Sequence, residues 1–163
     1  MQDTWIPMDI AQSALDDLRR IVRALRVAAH QAERSVGVTG AQLFVLHELA
    51  EAPGASLVEL ARRTATDPSS VSVVVARLEA AGLVLRRRDP SDGRRAALSL
   101  TPRGAARLRR APASLQARLV AALRALPPRE LAPTARALAR LAAAVGAGRG
   151  AAPMFFEEGR RGS

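Results

Sequence analysis

The 163-residue chain lacks cysteine and lysine, and it has only two histidines, His30 and His47. Without cysteine it can have no disulfide framework, no cysteine-ligated zinc and no thiol redox sensor. Without lysine it has neither a phosphate-loop lysine nor a Schiff-base lysine, and two histidines leave little for acid–base chemistry. There is also no Gly-x-Ser-x-Gly motif and no glycine-rich phosphate loop. We therefore expect no enzymatic activity, no cofactor and no metal site.

Long apolar runs are absent as well. None reaches the length needed to cross a bilayer, and the N-terminal sequence MQDTWIPMD has neither the basic start nor the apolar centre of a signal peptide. The sequence thus predicts a cytoplasmic protein with no membrane partner.

Positive charge is abundant and unevenly distributed. The net charge is +10, all 25 basic residues are arginine, and twelve of them stand against four acids between Arg62 and Arg110. A local field of this kind attracts a polyanion, and guanidinium groups can bind a phosphate or a guanine edge with two parallel hydrogen bonds. Genomic base composition can account for the preference for arginine over lysine, but it does not explain the clustering.

Helical spacing and capping residues predict three helices in the first part of the chain. An amphipathic helix is expected over Asp9–Arg34, and Gly37 ends it. Two capping boxes, residues 39–42 and 56–59, begin the next two helices. The second of these helices is short and ends near Arg63.

A fourth helix and a hairpin follow. Asp67-Pro68 is typical of a helix start, and Gly82 of the left-handed position just beyond a helix end. Strands are predicted at Leu83–Arg88 and Arg94–Leu100, joined by the turn sequence Asp89–Gly93. Two short helices followed by a basic hairpin are typical of a winged helix-turn-helix.

The C-terminal part is predicted to be helical. One long helix is expected over Thr101–Leu126, kinked at Pro112. Pro127-Pro128 interrupts the chain, and a last helix extends to about Val145, although Pro133 leaves its start open. The residues beyond Gly146 have the composition of a flexible linker and tail.

The predicted fold class is therefore mainly α (α+β). It comprises a winged helix-turn-helix lobe with a two-stranded β wing, together with N- and C-terminal dimerisation helices. The expected division is an N-terminal arm and dimerisation helix at 1–38, a DNA-binding lobe at 39–101, C-terminal dimerisation helices at 102–146 and a flexible tail at 147–163.

The fourth helix is the predicted recognition helix. At about 100° per residue, its apolar face consists of Val71, Val74, Val75 and Leu78. A recognition helix places its N-terminal half in the major groove, where serine hydroxyls can bond to bases or phosphates and a valine can touch a thymine methyl. We therefore predict DNA contacts from Ser69, Ser70, Ser72, Val73 and Arg77. An ordinary surface helix is the alternative interpretation of this segment taken alone.

Arginines on both sides of the hairpin turn are the second group of predicted DNA contacts. Arg86 and Arg88 lie along the first strand, while Arg94 and Arg95 follow the tip, from which they can reach the minor groove. Asp92 is close enough to Arg94 to hold its guanidinium by a charge-assisted hydrogen bond. A charged hairpin exposed to solvent is the alternative, but clustered arginines repel each other when they have no partner.

These motifs resemble the MarR family of bacterial transcriptional regulators over most of the chain. The resemblance rests on Val38–Gln42, Leu57-x-x-Leu60-Ala61, Val71-Ser72, Arg77–Glu79 with Gly82–Val84, Arg87, Asp89-Pro90-x-Asp92-x-Arg94 and Leu100-Thr101-x-x-Gly104. It implies a triangular homodimer that binds a pseudo-palindromic operator, usually as a repressor released by a phenolic or aromatic ligand. It also implies that Asp92 and Arg94 form the wing pair. Val73 departs from the family, since many relatives have arginine there, and so does the order Gly93-Arg94-Arg95.

The resemblance also suggests where an effector would bind. By analogy with the family, it would lie where the dimerisation helices meet the DNA-binding lobe, and aromatic rings with a cation would suit an aromatic carboxylate. The candidate residues are Trp5, His30, Arg34, Phe44 and His47. Each also has a purely structural interpretation, as a core, interface or solvated side chain. Phe155 and Phe156 are predicted either to dock on the dimer or to lie in a disordered tail.

We expect from the sequence a dimeric, sequence-specific regulator that binds double-stranded DNA. The apolar stripes of the first helix and of the helices after Thr101 are too broad for one lobe to cover, which independently favours a homodimer. A non-specific architectural DNA-binding protein is the main alternative, and an adaptor that contacts other proteins is a further one.

Overall fold

The computed structural model describes residues 8–88, 96–147 and 154–156. Its elements are α1 (Met8–Val36), α2 (Gly40–Glu51), α3 (Leu57–Thr64), α4 (Pro68–Ala80), β1 (Val84–Arg88), β2 (Ala96–Leu100), α5 (Pro102–Arg109), α6 (Leu115–Ala125) and α7 (Pro128–Ala144). The predicted class, mainly helical with a two-stranded wing, is confirmed. No helix in this part of the chain is both long and apolar enough to span a bilayer.

The predicted capping residues begin the helices of the lobe. The Thr39 hydroxyl accepts a hydrogen bond from the Gln42 amide, and the Gln42 side chain accepts one from the Thr39 amide, which completes the capping box of α2. At α3, the Ser56 hydroxyl accepts from the Glu59 amide. Beyond α4, Gly82 has a φ of +68°, the left-handed conformation predicted for it.

The two strands form an antiparallel pair that extends from the lobe. Val84 lies opposite Leu100, and Arg86 opposite Leu98, so these four side chains share one face of the hairpin. Leu98 also forms backbone hydrogen bonds with Gly54 and Ala55 in the connection between α2 and α3. The base of the wing is thereby joined to the helix-turn-helix.

The hydrophobic core of the described residues lies within the lobe. Its fully buried side chains of largest volume come from α2, α3, α4 and β2, and they are Phe44, Leu46, Leu49, Leu60, Leu78, Leu98, Val45, Val71, Val74 and Val75. By contrast, α7 buries none of its residues. Helix α7 therefore contributes much less to this core than the lobe does.

The predicted single helix over Thr101–Leu126 is wrong, because the chain forms two helices there. Proline lacks an amide hydrogen and its ring clashes with the carbonyl four residues earlier, so Pro112 cannot continue α5. The Ser114 hydroxyl then accepts from the Ala117 amide and caps a new helix, α6. A break replaces the expected kink. Pro133 lies inside α7, which starts at Pro128.

Of the predicted flexible tail at 147–163, the structure describes residue 147 and residues 154–156. A flexible tail is expected from residue 147, but Met154 is 6% exposed and belongs to the core cluster. The Gln116 side-chain amide donates a hydrogen bond of 2.8 Å to the Phe155 carbonyl. Composition could not predict this contact, because it joins two residues that are 39 positions apart in the sequence.

Candidate nucleic-acid interface

Helix α4 has one buried and one exposed face, as predicted. Val71, Val74, Val75 and Leu78 are all fully buried against the lobe. Ser69, Val73 and Arg77 are exposed on the opposite side, and Ser70 and Ser72 are half-buried at its edges. The structure therefore places all five predicted contacts of this helix on or beside one accessible surface.

Asp67 organises the start of this surface. Its carboxylate accepts hydrogen bonds from the amides of Ser69 and Ser70, at 2.9 and 3.0 Å, and also from both of their hydroxyl groups. The hydroxyl bonds from Ser69 and then Ser70 are the main reason that the pKa of the Asp67 carboxyl lies well below its usual value. The carboxylate thus remains ionised at the N-terminus of α4, where the helix dipole favours a negative charge.

The same hydrogen bonds limit what the two serines can do. A hydroxyl has one hydrogen to donate, and Ser69 and Ser70 both give theirs to Asp67. Their oxygens can still accept hydrogen bonds, for example from the amino group of cytosine or adenine. Sequence reasoning missed this restriction. Its only local signal is the position of the aspartate, two residues before one serine and three before the other.

Arg86 is held by an acid of α4. Its guanidinium lies 3.3 and 3.4 Å from the two carboxylate oxygens of Glu79, and the pair joins the wing to α4. Arg87 lies on the opposite face of β1 and is exposed. Arg88 is the last residue of β1. The predicted tip residues Asp92, Arg94 and Arg95 lie outside the described residues.

The base of the wing is joined to α5 by Thr101 and Gly104. The Thr101 amide donates to the Leu83 carbonyl, its hydroxyl donates to the Gly82 carbonyl, and the same oxygen accepts from the Gly104 amide. Gly104 packs so closely on the Leu83 carbonyl that a Cβ atom would overlap it. This gives a structural reason for the Leu-Thr-x-x-Gly motif, whose role the sequence alone did not explain.

Two further polar contacts position α3, and sequence reasoning missed both. The Arg63 Nε atom lies 2.9 Å from a carboxylate oxygen of Glu48, an ion pair that links α3 to α2. Arg124 of α6 donates to the carbonyls of Arg62 and Arg63 at the end of α3, at 2.9 and 3.0 Å. A cation at a helix C-terminus is favourable, but the pairing depends on tertiary structure.

The predicted effector residues lie in different environments. His30 and Arg34 are exposed on α1, where they line one groove together with Phe156. Phe44 lies in the core and is 2% exposed, whereas the Nδ1 atom of His47 lies 3.8 Å from Glu48. Trp5 lies outside the described residues. In the part of the chain that the structure describes, no cluster of three histidine or acidic side chains could hold a metal ion.

Comparisons with known proteins agree with this arrangement. A model of the MarR family matches residues 36–95. An HTH-type transcriptional repressor of Mycobacterium tuberculosis is 36% identical over 89 residues, which are 55% of this chain and 64% of that protein. The PcaV transcriptional regulator from Streptomyces coelicolor is 30% identical, and its structure matches 80% of this chain and 96% of its own with a TM-score of 0.51. The MarR family transcription regulator SP03579 is 26% identical, with coverages of 86% and 95% and a TM-score of 0.59.

The fold and the exposed surface formed by α4 and the hairpin define a winged-helix protein. The match to the mycobacterial repressor spans 64% of that protein's length, whereas the structural matches extend over nearly all of theirs. The chain belongs to the MarR family of transcriptional regulators, and the resemblance identified from its motifs is confirmed.

Proposed function

We propose that this chain is a transcriptional regulator that binds double-stranded DNA in a sequence-specific manner, without catalytic activity. One observation carries the proposal: α4 buries its whole apolar face and exposes the opposite face, with Ser69, Val73 and Arg77, beside a basic hairpin. A helix of this kind fits the major groove, and the hairpin then lies over the neighbouring backbone and minor groove.

The polar contacts refine the role of each side chain in this proposal. Because Glu79 already pairs with Arg86, we assign Arg86 to positioning the wing and Arg87 to a phosphate. Arg88, Arg94 and Arg95 remain proposed wing contacts, with Asp92 orienting Arg94. Ser69, Ser70 and Ser72 would accept hydrogen bonds from base edges, and Val73 would contact a thymine methyl.

The proposed functional unit is a homodimer on a pseudo-palindromic operator. Helix α1 exposes large apolar side chains along much of its length, and α7 exposes Leu138 and Leu141. A two-fold axis through these helices would bring two copies of α4 to half-sites about one helical turn of DNA apart. Binding to chromosomal DNA would place the protein in the cytoplasm.

We also propose that the chain acts as a repressor and that a small ligand relieves the repression. The similar mycobacterial protein is named a transcriptional repressor, which supports the direction of regulation. The groove beside His30 and Arg34 would supply a cation and an apolar wall, which suit an aromatic or phenolic ligand.

The test is a binding titration on DNA that flanks the chain's own gene, with a scrambled duplex as competitor at physiological salt. We expect specific binding to exceed non-specific binding by about 10³-fold or more. The variant Arg94→Ala with Arg95→Ala should lower both affinities and reduce the slope of log K against log salt by about 2. The control Arg136→Ala with Arg140→Ala removes the same charge from exposed positions of α7 and should leave the slope unchanged.

Two results would contradict the proposal. A ratio of specific to non-specific affinity near one would indicate an architectural DNA-binding protein. Equal salt slopes for the wing variant and its control would show that the hairpin does not contact phosphates.

A further inference from the structure

We propose that the cleft between α1, α2 and the start of α6 is a binding site, and that its resident ligand is the chain's own segment Met154–Phe156. The chemical class of ligand is an unbranched apolar side chain that enters the core, followed by a carbonyl acceptor and an aromatic ring. We call Met154–Phe156 the tail segment.

Burial of Met154 is the first observation. Its side chain is 6% exposed and belongs to the same core cluster as residues of α1 and α2, although it lies ten residues beyond the end of α7. Phe155, its neighbour in sequence, is 54% exposed. A segment lying loosely on the surface would not bury one side chain so completely and expose the next. The packing is therefore specific to the side chain of Met154.

A buried donor fixes the backbone of the tail segment. Gln116 is 7% exposed, and its side-chain amide donates to the Phe155 carbonyl at 2.8 Å. Gln116 also lies against Gly40 of α2. A Cβ atom added to Gly40 would lie 3.2 Å from the Nε2 atom of Gln116 and 3.2 Å from the Cβ atom of Ala29 in α1. The Gln116 amide that holds the tail segment therefore lies where the three helices meet. Without the Phe155 carbonyl, this buried amide would lose its hydrogen-bond acceptor.

Phe156 extends the contact onto α1. Its ring lines the groove that also includes Val27, His30 and Arg34, and it lies 6.4 Å from the Phe155 ring. Its φ is +56°, an uncommon backbone conformation for a bulky residue that surrounding contacts must hold in place. The tail segment thus contacts α6 through its backbone and α1 through a ring, and we infer that it secures the second half of α1 to the lobe.

Single thiols offer a direct test because the chain has no cysteine. In the full chain, the thiol introduced by Met154→Cys should react with a disulfide reagent at least about tenfold more slowly than the thiol introduced by Phe155→Cys. The two rates should become equal in denaturant. Equal rates in the native protein would overturn the proposal, because an undocked segment exposes both positions alike.

Hydrogen exchange tests the link to α1. Met154→Ala should speed amide exchange in residues 25–36, whereas the matched control Phe155→Ala should leave it close to that of the unaltered chain. Circular dichroism and a melting curve show whether each variant is folded. Unchanged exchange in residues 25–36 of a folded Met154→Ala protein would show that the tail segment does not secure α1. Neither measurement involves DNA, so its outcome is independent of the proposed function.

Discussion

Asp67 shows how one residue can determine both the start of a helix and the chemistry of its neighbours. Its carboxylate caps α4 through two amides, and it also takes the only hydroxyl hydrogens of Ser69 and Ser70. The cap could be predicted from Asp67-Pro68, because capping is local. The second effect could not, since it depends on which rotamers the two serines adopt.

The lowered pKa of Asp67 predicts a pH dependence of stability. Because the folded state holds the pKa below its unfolded value, the carboxylate contributes stability that is complete above about pH 4 and is lost as the pH falls further. We expect the free energy of unfolding to decrease more steeply between pH 5 and pH 2 in the unaltered chain than in Asp67→Asn. Urea unfolding at several pH values measures the difference.

A matched control separates this effect from a general loss of charge. Asp17→Asn removes an exposed carboxylate that forms an ion pair with Arg20 on α1. Its pH profile should follow that of the unaltered chain more closely. Parallel profiles for the unaltered chain and Asp67→Asn would contradict the prediction.

At the scale of elements, the junction of β2 and α5 packs closely against the backbone that precedes β1. Thr101 forms three hydrogen bonds there, and Gly104 brings α5 against the Leu83 carbonyl. Only a residue without a side chain allows this approach, so the glycine is required for packing and not for an unusual backbone conformation.

Gly104→Ala should therefore destabilise the fold even though alanine favours a helix. The added methyl group must displace backbone, and we expect a loss of about 3 kcal/mol in the free energy of unfolding. The control Ala106→Gly, two residues further along α5, should cost only about 1 kcal/mol. Urea unfolding compares the two, and a loss for Gly104→Ala no larger than that of the control would be inconsistent with the packing described here.

Elements differ in how much of them the sequence could predict. The helices of the lobe are capped by Thr39, Ser56 and Asp67, and these short-range signals decide where each helix begins. Pro112 was recognised as a disruption, but whether a helix kinks or breaks depends on the new cap at Ser114. Burial of Met154 depends on packing against residues that are distant in the sequence, which no local pattern encodes.

At the scale of the whole molecule, the main feature is the apolar surface that the terminal helices leave exposed. Ile10, Leu15, Leu18, Ile21 and Val22 are exposed on α1, and Leu138 and Leu141 on α7. An exposed apolar surface of this extent is typical of an interface, and the proposed homodimer would bury it.

Leu138→Glu combined with Leu141→Glu should dissociate that homodimer. Placing two carboxylates in an apolar interface is unfavourable, so sedimentation should shift from a dimer towards the 17.3 kDa monomer. The control Val58→Glu with Val73→Glu alters two exposed apolar residues of the lobe and should leave the mass unchanged. An unaltered dimer in the first variant would exclude this face of α7 from the interface.

The close contact between Gly104 and Leu83 has a mechanical consequence. With no side chain between the two backbones, α5 and the foot of the hairpin have no room to slide, so we expect them to turn as one lever. The five residues of β1 extend roughly 17 Å from this pivot. A rotation of about 10° at α5 would then displace the far end by about 3 Å, roughly half the width of a minor groove. In the proposed homodimer on DNA, a modest tilt of the terminal helices would thus be enough to carry the wing arginines out of register with the phosphates.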